Sequence, residues 1–238
     1  RGRGRARGRE GERAIMAWAG LRSISRRTFS TAADRRHYFP SDFPTANFTL
    51  VGQEELLRFC SDCLLSSGAK PKHALVTLVI PKEREVSWTE EAYRGIQRCA
   101  DRFEFSVVGG ETSSAPVAMI SISMVGMLEP DLVLRRSGAQ IGDTILVTGD
   151  LGGSISGKHL TFEPRMKEAE FLRSEVEATS MMDLSDGLAK DLPRLAKASG
   201  VGFQLDWDEI PLADGCTADQ ALNDGEDYEL LLTIPSNL

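Results

Sequence analysis

Apolar positions recur along the chain with two different periods, and the switches between them predict its elements. "VGQEELLRFCSDCLLSSGAKP" reads as a helix, because Leu56, Phe59, Cys60 and Cys63 share one face at 3.6 spacing and "SSGAKP" ends it. "HALVTLVIP" is a strand. "SWTEEAYRGIQRCADRF" is a helix with an apolar stripe of Tyr93, Ile96, Ala100 and Phe103, and Ser87 with Glu90 three residues on predicts a capping box. "EFSVVGGE" is a strand running into a glycine pair. In "PVAMISISMVGML" Ser121 and Ser123 alternate with Ile120, Ile122 and Met124, the pattern of a strand buried on one face. "GDTILVTGDLGGSISGKHL" reads as strand, glycine-rich loop and helix. In "MMDLSDGLAKDLPRLAKASG" a strand-like run gives way to a helix with Leu188, Leu192 and Leu195 inward and Gly200 as its stop. Pro193 should kink that helix or fall near its first turn. "VGFQLDWDEIP" is expected as a strand, "CTADQALN" as a short helix and "YELLLTIP" as a strand.

This alternation of strands and helices favours α/β layering. Glu129-Pro130 is the expected domain boundary, giving an N-terminal domain over 37–130 and a C-terminal domain over 131–238. The first part holds few strands for a free-standing sheet. "YELLLTIP" has no helix after it to cover it, so both domains are expected to be incomplete.

Composition narrows the class. The chain has 238 residues, 41% hydrophobic and 26% charged, an ordinary balance for a soluble globular protein. No apolar run is long enough to span a membrane. Four cysteines in a chain of this length suggest a reducing compartment rather than a disulfide framework. Cys60-x-x-Cys63 has the spacing of half a zinc site, but no second pair follows, and burial on a helix face explains it better. Charge is divided: residues 1–36 hold eleven arginines against three acids, net +8, and the remainder carries −15, which gives the overall −7. The acidic body is no general nucleic-acid binder, because it would repel phosphates unless cations intervene. Residues 1–36 read as a disordered Arg-rich leader. Their Arg, Ser and Thr content leaves a transit-peptide reading open, with an organellar location as the alternative to a cytoplasmic one.

Four stretches offer chemistry. Around Ser185, Asp183 and Asp186 stand three apart where the apolar run ends. One reading is helix capping by Ser185 or Asp186. The other is a hard-metal site in which two carboxylates hold Mg²⁺ against phosphates. "VVGGET" ends a strand in Gly109-Gly110 and offers Glu111, either as a phosphate approach with a metal ligand or as an ordinary turn. "VTGDLGGSISG" is neither a Walker A loop nor a dinucleotide fingerprint, but four glycines after a strand suit a nest of N–H groups. "NDGEDYELLL" crowds Glu226, Asp227 and Glu229 around Tyr228, as a cation site or a solvated loop. With three histidines in the chain, no nucleophile–histidine pair stands out. Phosphoryl transfer, which needs metal ions and positioning rather than a covalent catalyst, fits such a chain.

"GDTILVTGDLGGS", "MMDLSDGLAKDLPRLAKASGVGF" and "LNDGEDYELLLTIP", in this order, closely resemble the thiamine-monophosphate kinase family, within the superfamily of aminoimidazole ribonucleotide synthetase. "RFCSDCLLSSGAKPKHALVTLVIP", "WTEEAYRGI" and "VVGGETSSAP" match the N-terminal half of that family, so the likeness covers roughly residues 35–238. "SDGLAKDL" with "GEDYELL" is the specific part. The resemblance implies the superfamily's two-domain α/β (α+β) fold, a homodimer formed by pairing of N-terminal sheets, and Mg²⁺-assisted transfer of the γ-phosphoryl of ATP to thiamine monophosphate, giving thiamine diphosphate. It implies Asp62, Glu111, Asp183 and Asp186 as metal ligands, the last two at the catalytic centre. Tyr93, Gly110, Glu111, Arg136 and Ser185 would serve ATP, and His37 and Glu226 the thiamine phosphate. The metal reading of Asp183 and Asp186 is thereby favoured over capping. Glu111 departs from the family's usual aspartate, which moves its oxygens by about one C–C bond, roughly 1.5 Å. The family's aspartates upstream of His37 have no counterpart here, so impaired turnover is expected. Alternatives are a non-catalytic nucleotide-binding or dimerising remnant, or another superfamily member such as a selenophosphate synthetase.

Overall fold

Two sheets organise the chain, covered by two helices that the 3.6-period stripes predict, Val86–Arg102 and Leu188–Ser199, and by a third, Met166–Ser174, that they do not. The computed structural model describes residues 22–25, as backbone, and 64–236. The predicted helix around Cys60 and Cys63 therefore lies almost wholly outside the described residues, as do His37 and Asp62.

The first sheet has three strands: β2 (Lys70–Val79) between β3 (Ser106–Ser113) and β4 (Met119–Met127). β2 and β3 run parallel, joined by helix α1 (Val86–Arg102), and β4 runs antiparallel to β2. α1 lays Ala92, Ile96, Cys99 and Ala100 on one sheet face, where they close a core with Ala74, Val76, Phe103 and Phe105. Tyr93, placed on that stripe by the sequence, lies at its margin and is 38% exposed. The capping box is absent: the N-cap is Glu85, with no side-chain cap, and Ser87 Oγ instead donates to the Glu85 carboxylate at 3.2 Å. On the opposite sheet face Leu75, Val108, Met119, Val125 and Met127 are exposed beside Ser121 and Ser123.

The glycine pair is no turn. β3 continues through Gly109 and Gly110, which pair with Leu75 and Val76. A Cβ on Gly110 would stand 1.8 Å from the Val76 carbonyl oxygen, which is backbone and cannot move aside. Gly110→Ala should therefore cost about 1 to 3 kcal/mol, the scale of forced overpacking. A chemical melt of the variant checks this, and an unchanged midpoint would refute it.

The second sheet is antiparallel throughout, in the order β1 (Arg22–Ser25), β5 (Thr144–Val147), β7 (Glu229–Ile234), β6 (Ser180–Leu184). β1 falls within the stretch expected to be disordered; there, Arg22–Ser25 pair with the edge of β5. Every residue of β5, β6 and β7 is buried. Helix α4 (Leu188–Ser199) covers one face through Leu188, Leu192, Leu195 and Ala196. Helix α3 (Met166–Ser174) covers the other through Ala169 and Leu172. "YELLLTIP", expected to be left uncovered, is instead the interior strand β7, packed on both faces. Gly200 ends α4 in the left-handed conformation, as its position suggested. "VGFQLDWDEIP" forms no strand. Val201, Phe203 and Leu205 are partly buried against the α4 core, so the two-residue period records burial without a ladder. Two short helices complete this half, α2 (Lys158–Thr161) and α5 (Ala218–Asn223), the latter closed by a Thr217–Gln220 capping box.

Candidate active site

Strand direction assembles the site. Because β7 runs against both neighbours, its first residues meet the last of β5 and β6: Leu231 faces Val147, and Glu229 faces Leu184. The glycine-rich loop after β5, the Ser185–Gly187 turn after β6 and the 224–228 loop before β7 thus gather at one end of the sheet.

Backbone hydrogen bonds join the second and third of these. Glu226 N–H donates to the Ser185 carbonyl at 2.8 Å, and Tyr228 N–H to the Leu184 carbonyl at 2.9 Å. Glu226 and Tyr228 both hold positive φ, 59° and 49°, a conformation that non-glycine residues adopt at some cost, and one that recurs at functional sites. The Tyr228 hydroxyl donates to the Glu226 carboxylate, and its ring stacks on Phe162 with centroids 4.2 Å apart. Glu226 is thereby fixed beside Ser185.

The turn bears on the capping reading of Asp183 and Asp186. The N-cap of α4 is Gly187, with no side-chain cap, so neither Ser185 nor Asp186 caps the helix. A Cβ at Gly187 would fall 2.7 Å from the Leu222 carbonyl, and its φ of 98° is also unsuited to other residues. The free N–H groups are taken by Asp191, one turn into α4. Its carboxylate accepts from Ser185 N–H at 3.1 Å and Asp186 N–H at 2.8 Å. Burial pushes the Asp191 carboxyl above its usual range, against the opposing pull of the Asp186 N–H and Arg194. Asp183 and Asp186 are left for other work. Asp183, 6% exposed, accepts from Ser185 Oγ at 2.9 Å, and its other oxygen lies 3.6 Å from the Arg136 guanidinium. The Arg136 loop is pinned by Ser199 Oγ, which donates to the Arg136 carbonyl and accepts from the Gly138 and Ala139 N–H groups. Asp186 is exposed and paired with Arg194.

The glycine-rich loop differs from expectation. Its N–H groups are already used: Gly152 donates to Asp227 at 2.9 Å and Gly153 to Asp224 at 3.1 Å, while Ser154 Oγ donates to Asp227 at 2.7 Å. It is stapled to the 224–228 loop rather than open as an anion nest. Nor are Asp227 and Glu229 solvated; both are buried. Burial raises the Asp227 carboxyl, against the hydrogen bonds from Ser154 and Gly152. Burial acts the same way on Glu229 but is outweighed there by Arg165 and Lys158, which hold its carboxyl below the usual range.

Asp183, Ser185, Asp186, Arg136 and Glu226 therefore come together. Glu111, Gly110 and Tyr93 belong to the first sheet. Glu111 pairs in register with Thr77 and is exposed, and Tyr93 borders an open pocket of about 640 Å³ with Thr89, Arg94, Gln97 and Val107. Among the described residues, no three His, Cys, Asp or Glu side chains gather as a metal cluster. Two carboxylates suffice for Mg²⁺, which keeps waters and shares its shell with substrate phosphates instead of filling a protein cage. The oxygen donors of Asp183 and Asp186 fit that ion. The sequence reading missed Asp191, Arg194 and the Glu229 ion pairs. Asp191 was in view, as a carboxylate one turn into a helix whose start has no other cap. The partners of Glu229 are 64 or more positions away and left no local signal.

The family models of AIR synthase related proteins match both halves of the chain: that of the N-terminal domain matches residues 30–128, and that of the C-terminal domain residues 140–237. The chain is 35% identical over 183 residues to the thiamine-monophosphate kinase of Rhodopirellula baltica, covering 72% of this chain and 57% of that protein. It is 31% identical over 227 residues to the thiamine-monophosphate kinase of Aquifex aeolicus, covering 84% and 72% respectively. The solved structure of AaThiL complexed with AMPPCP and TMP superposes with a TM-score of 0.71 at 29% identity, over 77% of this chain and 69% of that one. The chain belongs to the thiamine-monophosphate kinase family. It spans less than two-thirds of the Rhodopirellula baltica relative's length.

Proposed function

We propose that this protein transfers the γ-phosphoryl of ATP to thiamine monophosphate, giving thiamine diphosphate, and that it works as a homodimer with Mg²⁺. The observation that carries the reading is the joining of the Ser185–Gly187 turn to the 224–228 loop, which sets Asp183, Ser185 and Asp186 beside Glu226. Metal-side and substrate-side groups named by the family resemblance thus share one end of one sheet. AaThiL, a relative by sequence and fold, was solved with AMPPCP and TMP.

Asp183 and Asp186 would hold the Mg²⁺, which when bound neutralises charge on the transferred phosphoryl group. Ser185 Oγ orients the Asp183 carboxylate. Arg136, kept in place through Ser199, directs a guanidinium to the same spot and suits a phosphate oxygen. Glu226, held by Tyr228, faces the thiamine phosphate. Tyr93 and its pocket receive the nucleoside end, with Gly110 and Glu111 on the first sheet serving the phosphates and metal, and His37 and Asp62 completing the substrate and metal contacts. No proton shuttle is required, because the acceptor is a phosphate oxygen that is already ionised. The exposed Leu75, Val108, Met119, Val125 and Met127 on one face of the first sheet support pairing with the same sheet of a second copy. No helix among the described residues is long and apolar enough to cross a membrane.

Incubating the purified protein with ATP, Mg²⁺ and thiamine monophosphate should yield thiamine diphosphate, and omitting any one of the three should abolish it. ATP binding with no thiamine diphosphate formed, whatever the metal concentration, would rule the reading out in favour of a nucleotide-binding remnant.

A further inference from the structure

Arg194 has an unusual position. One of its terminal nitrogens donates both to Asp186 and, at 2.7 Å, to Asp191 three residues earlier in α4. The two carboxylates differ in kind. Asp191 is wholly buried and committed, since it also accepts the Ser185 and Asp186 N–H groups. Asp186 is 50% exposed in its side chain and Arg194 45%, so solvent ions reach that pair. A cation arriving at Asp186 meets a guanidinium already there.

We propose that Arg194 is a positioning residue: a resident counter-ion on Asp186 that a divalent cation displaces, with Asp191 as the fixed partner that retains the arginine after displacement. The inference rests on the reading of Asp186 as a cation ligand. Two consequences follow from charge alone. The free turn stays ordered, because Asp186 is neutralised before any metal binds and does not repel Asp183 and Asp191. The metal binds more weakly than it would to an unpaired Asp186, by the few-fold scale of a half-exposed ion pair.

The test is calorimetric titration of the whole chain, saturated with AMPPCP, with magnesium chloride, across wild type, Arg194→Gln, Arg194→Lys and Asp186→Asn. Removing the charge should tighten Mg²⁺ binding about three- to fivefold, and Arg194→Lys should restore the wild-type constant to within about twofold, because a point charge still competes. A merely structural arginine predicts the opposite sign, a loosened turn and weaker binding in Arg194→Gln. If Asp186→Asn loses Mg²⁺ binding while Arg194→Gln binds no tighter, the counter-ion idea fails and the metal reading stands. If wild type and Asp186→Asn titrate alike, or neither binds, the metal reading fails and takes the inference with it. Should Arg194→Gln not fold, Arg194→Met keeps the stem length and replaces it. If neither folds, the guanidinium is structural and the proposal is overturned.

Discussion

Asp183→Asn should weaken binding of Mg²⁺–AMPPCP by about a hundredfold, while the melting temperature stays near that of wild type. The substitution keeps the shape of a side chain that is 6% exposed and keeps an oxygen to accept from Ser185 Oγ. What it removes is charge. Its ion pair with Arg136 spans 3.6 Å to a guanidinium that is 58% exposed, and such a pair is worth little to stability. A lost helix cap costs about 1 kcal/mol, but Gly187 rather than this turn's polar side chains occupies the cap position, so even that loss is not expected. A hundredfold in affinity is about 2.7 kcal/mol, well above either structural effect. Even removing a residue that only orients a metal's ligands costs ten- to a hundredfold, so a direct ligand belongs at the upper end. Calorimetry with the non-hydrolysable analogue separates binding from turnover. A variant that melts lower but binds the nucleotide as well as wild type would show that Asp183 serves the fold and that the metal lies elsewhere.

The parts of this site that the sequence displayed are those where a local pattern breaks. "MMDLSDGL" and "NDGEDYELLL" stand out because carboxylates interrupt apolar runs at strand ends, and both lie at one end of the second sheet, joined by backbone hydrogen bonds. Their meeting was not legible. It depends on β7 lying between β5 and β6 and running against both, whereas alternating strands and helices gave no strand direction. The glycines misled for a related reason. Gly110 suggested a turn at a strand's end and instead lies within β3, where the close passage of Val76 requires it. Gly152 and Gly153 looked like a free nest and are held by Asp227 and Asp224. A glycine marks a tight approach without saying what approaches. "VGFQLDWDEIP" shows the same limit for periodicity, because Val201, Phe203 and Leu205 find a core but no neighbouring strand to bond.

Glu229 carries the largest expected effect on stability. It is 1% exposed at the start of β7, and two cations converge on it: Arg165 through Nε at 2.6 Å and a terminal nitrogen at 2.7 Å, and Lys158 Nζ at 2.8 Å. Thr148 Oγ1 adds a fourth hydrogen bond at 2.7 Å. These contacts tie the loop after β5 and the entrance to α3 onto the central strand. Glu229→Gln keeps the volume and removes the anion that the two cations share, leaving Arg165 with Glu168 at 3.6 Å. Breaking a buried pair costs about 3 to 5 kcal/mol, and the side chains of Lys158 and Arg165 are 35% and 29% exposed, which places the loss at the lower end. About 3 kcal/mol corresponds to roughly 6 to 12 °C in melting temperature for a chain of this size. The pH dependence has a definite sign. Burial opposes ionisation of Glu229, but Arg165 and Lys158 outweigh it and keep the carboxyl below 4.5 in the fold. Ionised Glu229 therefore stabilises the protein fully above the unfolded carboxyl range, and that contribution is lost as pH falls through the lower folded value. Asp191 and Asp227, raised by burial, act with the opposite sign; Asp191 is common to both proteins, and Glu229 ranks last among the causes that shift Asp227, so Asp227 offsets the comparison only slightly. Acidifying from pH 6 toward pH 3 should destabilise wild type more steeply than Glu229→Gln, so the gap between their denaturation midpoints narrows. A gap that stays constant over that range would mean that the charge of Glu229 does not hold these loops to the strand.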